Sequence, residues 1–235
     1  MNISKQVALV TGANRGLGKH LAEELLKRGA KVYAGARNPE SVNIPGAIPI
    51  QLDITNPESV KAAASTASDV TLLINNAGTS TGASVLTGSW DDIHLEFDTH
   101  VFGTLSMVRD FAPVLEKNGG GSILNILSVL SWYTTDSTGA YSAAKSAEWS
   151  MTNALRLSLA PKNITVSGLH VGYMDTDMTK GLEKPKSDPK KIAEIAINGI
   201  ENGLYEIIAD DISTNVQKGL SGGVNALYPE LLTIK

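Results

Sequence analysis

Short runs rich in β-branched and apolar residues alternate along this chain with longer segments whose apolar residues recur at helical spacing. The runs are QVALVTG (6–12), KVYAGA (31–36), AIPIQLD (47–53), VTLLINN (70–76), SILNILS (122–128), ITVSGLH (164–170) and LYEIIA (204–209). Between them lie segments such as GKHLAEELLKRG and PESVKAAASTA. Strand and helix in strict turn are the pattern of a parallel sheet with right-handed crossovers. The expected fold is therefore α/β, a Rossmann-type doubly wound parallel sheet of about seven strands with helices on both faces.

Local signals mark several boundaries. Ser89 followed by Asp92 reads as a helix cap, Gly29 closes the first helix, and Pro161 ends the helix that holds Tyr141. The stretch from Gly172 to Pro189, rich in Lys, Asp and Pro, reads as a loop and a candidate lid. No repeat, linker or low-complexity tract interrupts the 235 residues, so a single domain, 1–235, is expected. A hydrophobic share of 42% against 19% charged residues is that of an ordinary globular chain.

Composition also excludes classes of function. The formal net charge is −4 and there is no basic tract, so nucleic acid is not an expected partner. The absence of cysteine removes disulfides, a thiolate nucleophile and Cys-ligated zinc, and agrees with a cytoplasmic location. No apolar run approaches the ~20 residues of a membrane-spanning helix, and the N-terminal apolar run is too short for a signal-peptide core. Asp175 and Asp177 stand without further ligands at coordinating spacing, so no metal is expected.

The polar residues that could do chemistry cluster at strand ends. TGANRGLG (11–18) joins the first strand to its helix, and Gly12, Gly16 and Gly18 would permit a tight turn with its helix N-terminus facing a pyrophosphate. A plain strand-to-helix turn would use the same glycines. Arg37 follows the second strand, Asp53 ends the third, NNAG (75–78) the fourth and Ser128 the fifth, while the stretch from Gly172 to Thr176 follows the sixth. Ligands of open α/β sheets bind outside such carboxyl ends. Tyr141 and Lys145 lie four residues apart and so share a helix face.

Together these residues resemble the short-chain dehydrogenase/reductase family, in particular its NADP-dependent carbonyl reductases. The signatures are T-G-x-x-x-G-x-G, N-N-A-G, a serine after the fifth strand and Y-x-x-x-K thirteen residues later, and the likeness runs from about residue 5 to residue 210. It implies hydride transfer between a nicotinamide dinucleotide and a carbonyl compound or alcohol. It implies for Tyr141 the role of general acid/base, and for Lys145 a hydrogen bond to the nicotinamide ribose. A Lys145 ammonium and an oxidised nicotinamide would both favour the phenolate and lower the Tyr141 pKa. Ser128 would hold the carbonyl oxygen; a strand-end cap is its other reading, and Ser131 the weaker candidate.

The same resemblance extends the cofactor site to Asn14, Arg15, Leu17, Ile54, Ala77 and Gly78. Asp53 would lie beside the adenine, or merely form a turn. Asn75 would pin the central sheet, and Thr176 would meet the carboxamide. NADP (NADPH) is the expected cofactor, because the position that carries a carboxylate in NAD enzymes is Ala36, while Arg37 and Arg15 could clamp a 2′-phosphate; both could also be solvated surface charges.

Two departures stand out. DTHVFG places His100 where many members carry the asparagine of a proton relay, so His100 either takes over that relay, holds a local helix distortion, or is a semi-buried structural histidine. VG replaces the usual P-G after the sixth strand. His20, His94 and His170 read as structural. The expected partner is a small to medium ketone, aldehyde or alcohol in an open pocket walled by 80–86, 129–135 and the loop after Gly172. A homo-oligomer, dimer or tetramer, would use the helices spanning 91–115 and 141–160. The competing reading is a non-catalytic, NADP-binding redox sensor on the same fold, disfavoured because a sensor needs no acid. Epimerisation or dehydration would call for a larger C-terminal region.

Overall fold

The computed structural model describes residues 1–233. Seven strands, β1 (Val7–Thr11), β2 (Lys31–Ala36), β3 (Ile48–Gln51), β4 (Leu72–Asn75), β5 (Gly121–Ile126), β6 (Ile164–His170) and β7 (Glu206–Ile208), form one sheet in the order β3-β2-β1-β4-β5-β6-β7. Every neighbouring pair is parallel. The helices are α1 (Gly16–Lys27), α2 (Pro57–Thr66), α3 (Trp90–Phe97), α4 (Thr104–Lys117), α5 (Gly139–Leu159), α6 (Pro189–Glu201), α7 (Asp211–Gly219) and α8 (Gly223–Leu227). The doubly wound architecture read from the sequence is the one observed.

Alternating strand residues feed two cores. Ala8 and Val10 of β1, with Leu72 and Ile74 of β4, pack with Leu21 and Leu25 of α1 and Ile197 of α6. Leu9 and Leu73, offset by one residue, pack on the other face with Val60 of α2 and with Met107, Phe111 and Leu115 of α4. A parallel sheet covered on both faces needs apolar residues at both phases of the two-residue strand period. Each fully buried Leu or Phe contributes about 1.5–3 kcal/mol of transfer free energy.

Helix starts follow local chemistry. Asn56 caps α2 by accepting from the amides of Glu58 and Ser59, Ser89 caps α3 through Asp92, and Asp188 caps α6 with Pro189 in its first turn. Gly29, at φ +87°, closes α1 as expected. α5 ends at Leu159, where Pro161 carries the chain into a short 3-10 turn.

Some strands are shorter than the apolar runs. β3 stops at Gln51, because Asp53 folds into a turn in which its Oδ1 accepts from the amide and hydroxyl of Thr55, at 3.0 and 2.7 Å. β3 is an edge strand, which is why it tolerates Pro49. Between α3 and α4 the chain widens into a π-helical segment, Asp98–Gly103, centred on His100.

Candidate active site

Strand order reverses between β1 and β4, and the sequence motifs converge on the crevice at their carboxyl ends. Gly12 and Gly16 adopt φ of +63° and +53°, conformations that strain any residue with a side chain. A Cβ on Gly18 would stand 2.3 Å from the Gly12 carbonyl oxygen, so α1 can begin this close to the β1 turn with glycine alone. Asn76 ties the loop down: its Nδ2 donates to the Thr11 carbonyl at 2.8 Å, and the amides of Asn76 and Ala77 donate to Thr11 Oγ1 at 2.9 Å. No side chain caps α1 at Arg15, which leaves its first amides to meet an anion. Glycines at positive φ and unclaimed amides at a helix N-terminus fit a dinucleotide pyrophosphate.

The other residues expected around the cofactor divide into two groups. Thr176 lies against Gly16, its Cγ2 3.6 Å from where a Cβ would be, and Arg37 is exposed beyond β2 with no ion pair among the described residues. Arg15 shares an exposed ion pair with Asp177 of the loop after β6, at 3.5 Å. Asn14 is half-buried in the glycine loop and Ala77 half-buried beside it.

Several side chains face elsewhere. Leu17 turns into the core beside Leu21, and Ile54 packs under Gly103, so neither side chain is directed at the loop, because both are needed to seal the apolar layers. Asn75 Nδ2 donates to Asn125 Oδ1 at 2.8 Å, and Asn125 to Thr152 at 2.8 Å, which links β4 through β5 to α5. The amide of Gly172 is spent on Asp210 Oδ2 at 2.6 Å. Asp53 has one oxygen in its turn, so the turn-forming reading holds for that atom. Gly78 leaves room for the imidazole of His100, whose Cε1 would stand 2.8 Å from a Cβ there.

Ser128, Tyr141 and Lys145 meet where β5 ends. Lys145, on the buried face of α5, sends its Nζ to the Ile126 carbonyl oxygen at 2.7 Å and to Glu148 Oε2 at 2.7 Å. Nζ is 5.9 Å from the centre of the Tyr141 ring. The Ser128 hydroxyl accepts from the Leu130 amide at 3.1 Å and also faces the Tyr141 hydroxyl, so it both caps a turn and reaches the site. Ser131 is the partner spent on structure: its Oγ accepts from the Ser128 amide at 3.3 Å.

The electrostatics of the chain alone pull Tyr141 both ways. Burial pushes the Tyr141 hydroxyl above the usual phenol range; Lys145 and the Ser128 hydrogen bond pull it down, while Glu148 and Glu96 push it further up. The protein's own groups therefore raise the Tyr141 pKa, because desolvation outweighs an ammonium shared with a carboxylate. Burial also works against the Lys145 ammonium, yet Glu148, Tyr141 and Glu96 hold it above the usual lysine range.

His100 is 2% exposed, and its Nε2 lies 2.9 Å from the Thr79 carbonyl oxygen and 3.4 Å from Glu96 Oε2. Glu96 in turn accepts from the amide and hydroxyl of Thr81. The imidazole thus braces the π-helical segment, the NNAG turn and the flank of Tyr141. His20 pairs with Glu23 on the surface of α1, and His94 is exposed beside Trp90. His170 is fully buried beneath the site: its Nδ1 is 3.1 Å from the Ser128 carbonyl oxygen, its Nε2 2.7 Å from Glu206 and its ring stacked on Trp132.

Three features escaped the reading of the residues: Asn76, Glu148 and Tyr228. Tyr228 stacks on Tyr133 and accepts from the Thr134 amide at 2.9 Å, bringing the C-terminal segment against the expected pocket wall. Asn76 had a sequence signal, since it lies inside NNAG, and Glu148 had one in its place three residues after Lys145.

The short chain dehydrogenase family model matches residues 6–187. The chain belongs to the short-chain dehydrogenase family. A short-chain dehydrogenase from Burkholderia cenocepacia, solved in complex with NADP, is 40% identical with a TM-score of 0.94, each chain covering 100% of the other. A 3-oxoacyl-(acyl-carrier-protein) reductase from Vibrio cholerae serotype O1 is 31% identical over 209 residues, covering 83% of each chain. A 3-ketoacyl-(acyl-carrier-protein) reductase from Brucella melitensis, complexed with NADH, is 26% identical with a TM-score of 0.81, over 88% of this chain and 96% of that one. Among the described residues no helix is long and apolar enough to cross a membrane.

Proposed function

We propose that this short-chain dehydrogenase is an NADPH-dependent carbonyl reductase, and an alcohol dehydrogenase in reverse, for a small to medium ketone or aldehyde. The observation that carries this reading is the meeting of Ser128, Tyr141 and Lys145 at the end of β5, beside the glycine loop. A contiguous path of contact, from Gly12 to Ala77 and from Gly78 through His100 to Tyr141, joins the two halves of the site.

Bound NADPH would supply the hydride to the carbonyl carbon. The Ser128 hydroxyl donates to the carbonyl oxygen and fixes its orientation. Tyr141, held as a phenol by its surroundings, passes its proton to that oxygen as negative charge develops, and the alcohol results. Lys145 remains an ammonium despite its burial and is available to hold a ribose hydroxyl. Arg37, with no ion pair among the described residues, follows a β2 that ends in buried Ala36 rather than a carboxylate, and this supports NADPH over NADH. The relative bound to NADP agrees with that choice, whereas the relative bound to NADH belongs to the same family, so the argument rests on residues 36 and 37.

Exposed Leu95, Phe102 and Leu157 on α3, the π-helical segment and α5 support the expected homo-oligomer, which sedimentation velocity would read directly. The reading as a whole is tested by Tyr141→Phe, assayed with NADPH over a panel of ketones and aldehydes. Loss of turnover in a variant that melts like the wild type supports it, and retained turnover overturns it.

A further inference from the structure

Glu148 sits at the centre of the proposed site without a part in the reaction. It is 2% exposed, in the middle of a helix packed on the sheet, where a carboxylate persists only with strong partners. Those partners are Lys145, whose Nζ is 2.7 Å from Oε2, and Thr104 of α4, whose Oγ1 is 3.3 Å from Oε1. An ammonium has three protons. Two of them are committed, one to Glu148 and one to the Ile126 carbonyl oxygen.

The consequence falls on Tyr141. A lone ammonium nearby would stabilise a phenolate strongly in this low-dielectric setting. An ammonium in contact with a carboxylate presents a dipole instead of a net charge, and its pull on the phenol is largely cancelled. The other groups around the phenol do not restore it: Glu96 on α3 adds negative charge, and His100 in the π-helical segment is engaged by Thr79 and Glu96. Ser128 at the end of β5 and Thr104 on α4 are neutral hydroxyls.

We propose that Glu148 is a positioning residue that draws the Lys145 ammonium to itself, keeps Tyr141 a phenol, and so sets the pH range over which the alcohol can be oxidised. The effect on the pH profile of turnover rests on the reading of Tyr141 as the proton donor; the effect of Glu148 on Tyr141 does not.

The test begins with the protein alone. Ultraviolet difference titration of tyrosinate, wild type against Tyr141→Phe, isolates the Tyr141 midpoint. The same pair is then measured in a Glu148→Gln background, with Glu148→Met as a second, apolar replacement should the glutamine variant misfold, and circular dichroism to establish folding. The midpoint is expected to fall by about one pH unit when the carboxylate is removed, and Glu148→Asp is expected to return it towards the wild-type value. In the assay, Glu148→Gln should move the alkaline limb of alcohol oxidation to lower pH by a similar amount. A folded variant whose Tyr141 midpoint does not fall overturns the proposal. If Tyr141→Phe kills turnover while the midpoint stays put, this inference fails alone; if Tyr141→Phe keeps full turnover while the midpoint falls, the proposed function fails and the coupling stands.

Discussion

The imidazole of His100 stands edge-on to the ring of Tyr141, with centroids 5.1 Å apart and planes at 85°. Through that contact the π-helical segment between α3 and α4 is mechanically joined to the proposed acid. The imidazole also meets Glu96, which is fully buried and bonded to Thr81. Removing it leaves a cavity against Tyr141 and deprives the carboxylate of a partner. His100→Ala is expected to destabilise the protein by about 2–4 kcal/mol, measured as a shift in the urea midpoint, and to lower turnover. If turnover and its pH profile are unchanged, His100 is bracing and no relay passes through it.

Gly18→Ala tests the cradle. Its new methyl would lie 2.3 Å from the Gly12 carbonyl oxygen and 2.4 Å from Asn76 Nδ2, contacts that backbone cannot yield without moving α1 off β1. The expected cost is about 3 kcal/mol or more. Calorimetry should show the lowered melting temperature, and quenching of NADPH fluorescence should show weakened binding even where the variant stays folded. Normal binding in Gly18→Ala would sink the assignment of this loop to the pyrophosphate.

Arg37→Ala separates the two nicotinamide cofactors. A guanidinium on a 2′-phosphate is worth about 1.5–3 kcal/mol as a charge-assisted hydrogen bond, so kcat/KM with NADPH should drop by about ten- to a hundredfold while that with NADH holds. The ratio of the two efficiencies, before and after substitution, is the measurement. An unchanged ratio removes Arg37 from the site.

Glu206 gives stability a pH dependence. Burial pushes its carboxyl up, but the bonds from His170 and Arg156 win and hold it below the usual carboxylate range. A group with a depressed folded-state pKa contributes stability above its unfolded value, and that contribution is lost as pH falls through the folded value. The stability difference between wild type and Glu206→Gln, read from urea unfolding, is therefore expected to be full at neutral pH and to shrink as the pH drops below the ordinary carboxylate range. A gap that widens on acidification would contradict the sign of the shift.

Much of this molecule was legible along the chain. Alternating runs announced a parallel α/β sheet because burial on two faces imposes a period of two on strands and of about 3.6 on helices. Gly12, Gly16 and Gly18 could be read because their need for backbone room is a property of the residue type. The pairing of Tyr141 with Lys145 could be read because four residues close one helical face. Each of these signals is local, and local geometry is what a sequence encodes most directly.

The tertiary structure alone decided what surrounds those groups. Glu148 meets Lys145 at ordinary helical spacing, yet only its burial against Thr104 of α4 turns a surface-type pair into a charge-cancelling one. Tyr228 reaches Thr134 across 94 residues, and Glu96 reaches the flank of Tyr141 only by way of His100, in the widened helix that DTHVFG had hinted at. The Tyr141 pKa follows from these neighbours: the sign of its shift is a competition between desolvation and Coulomb attraction, and both depend on how deeply the folded chain buries the phenol and where its carboxylates come to rest.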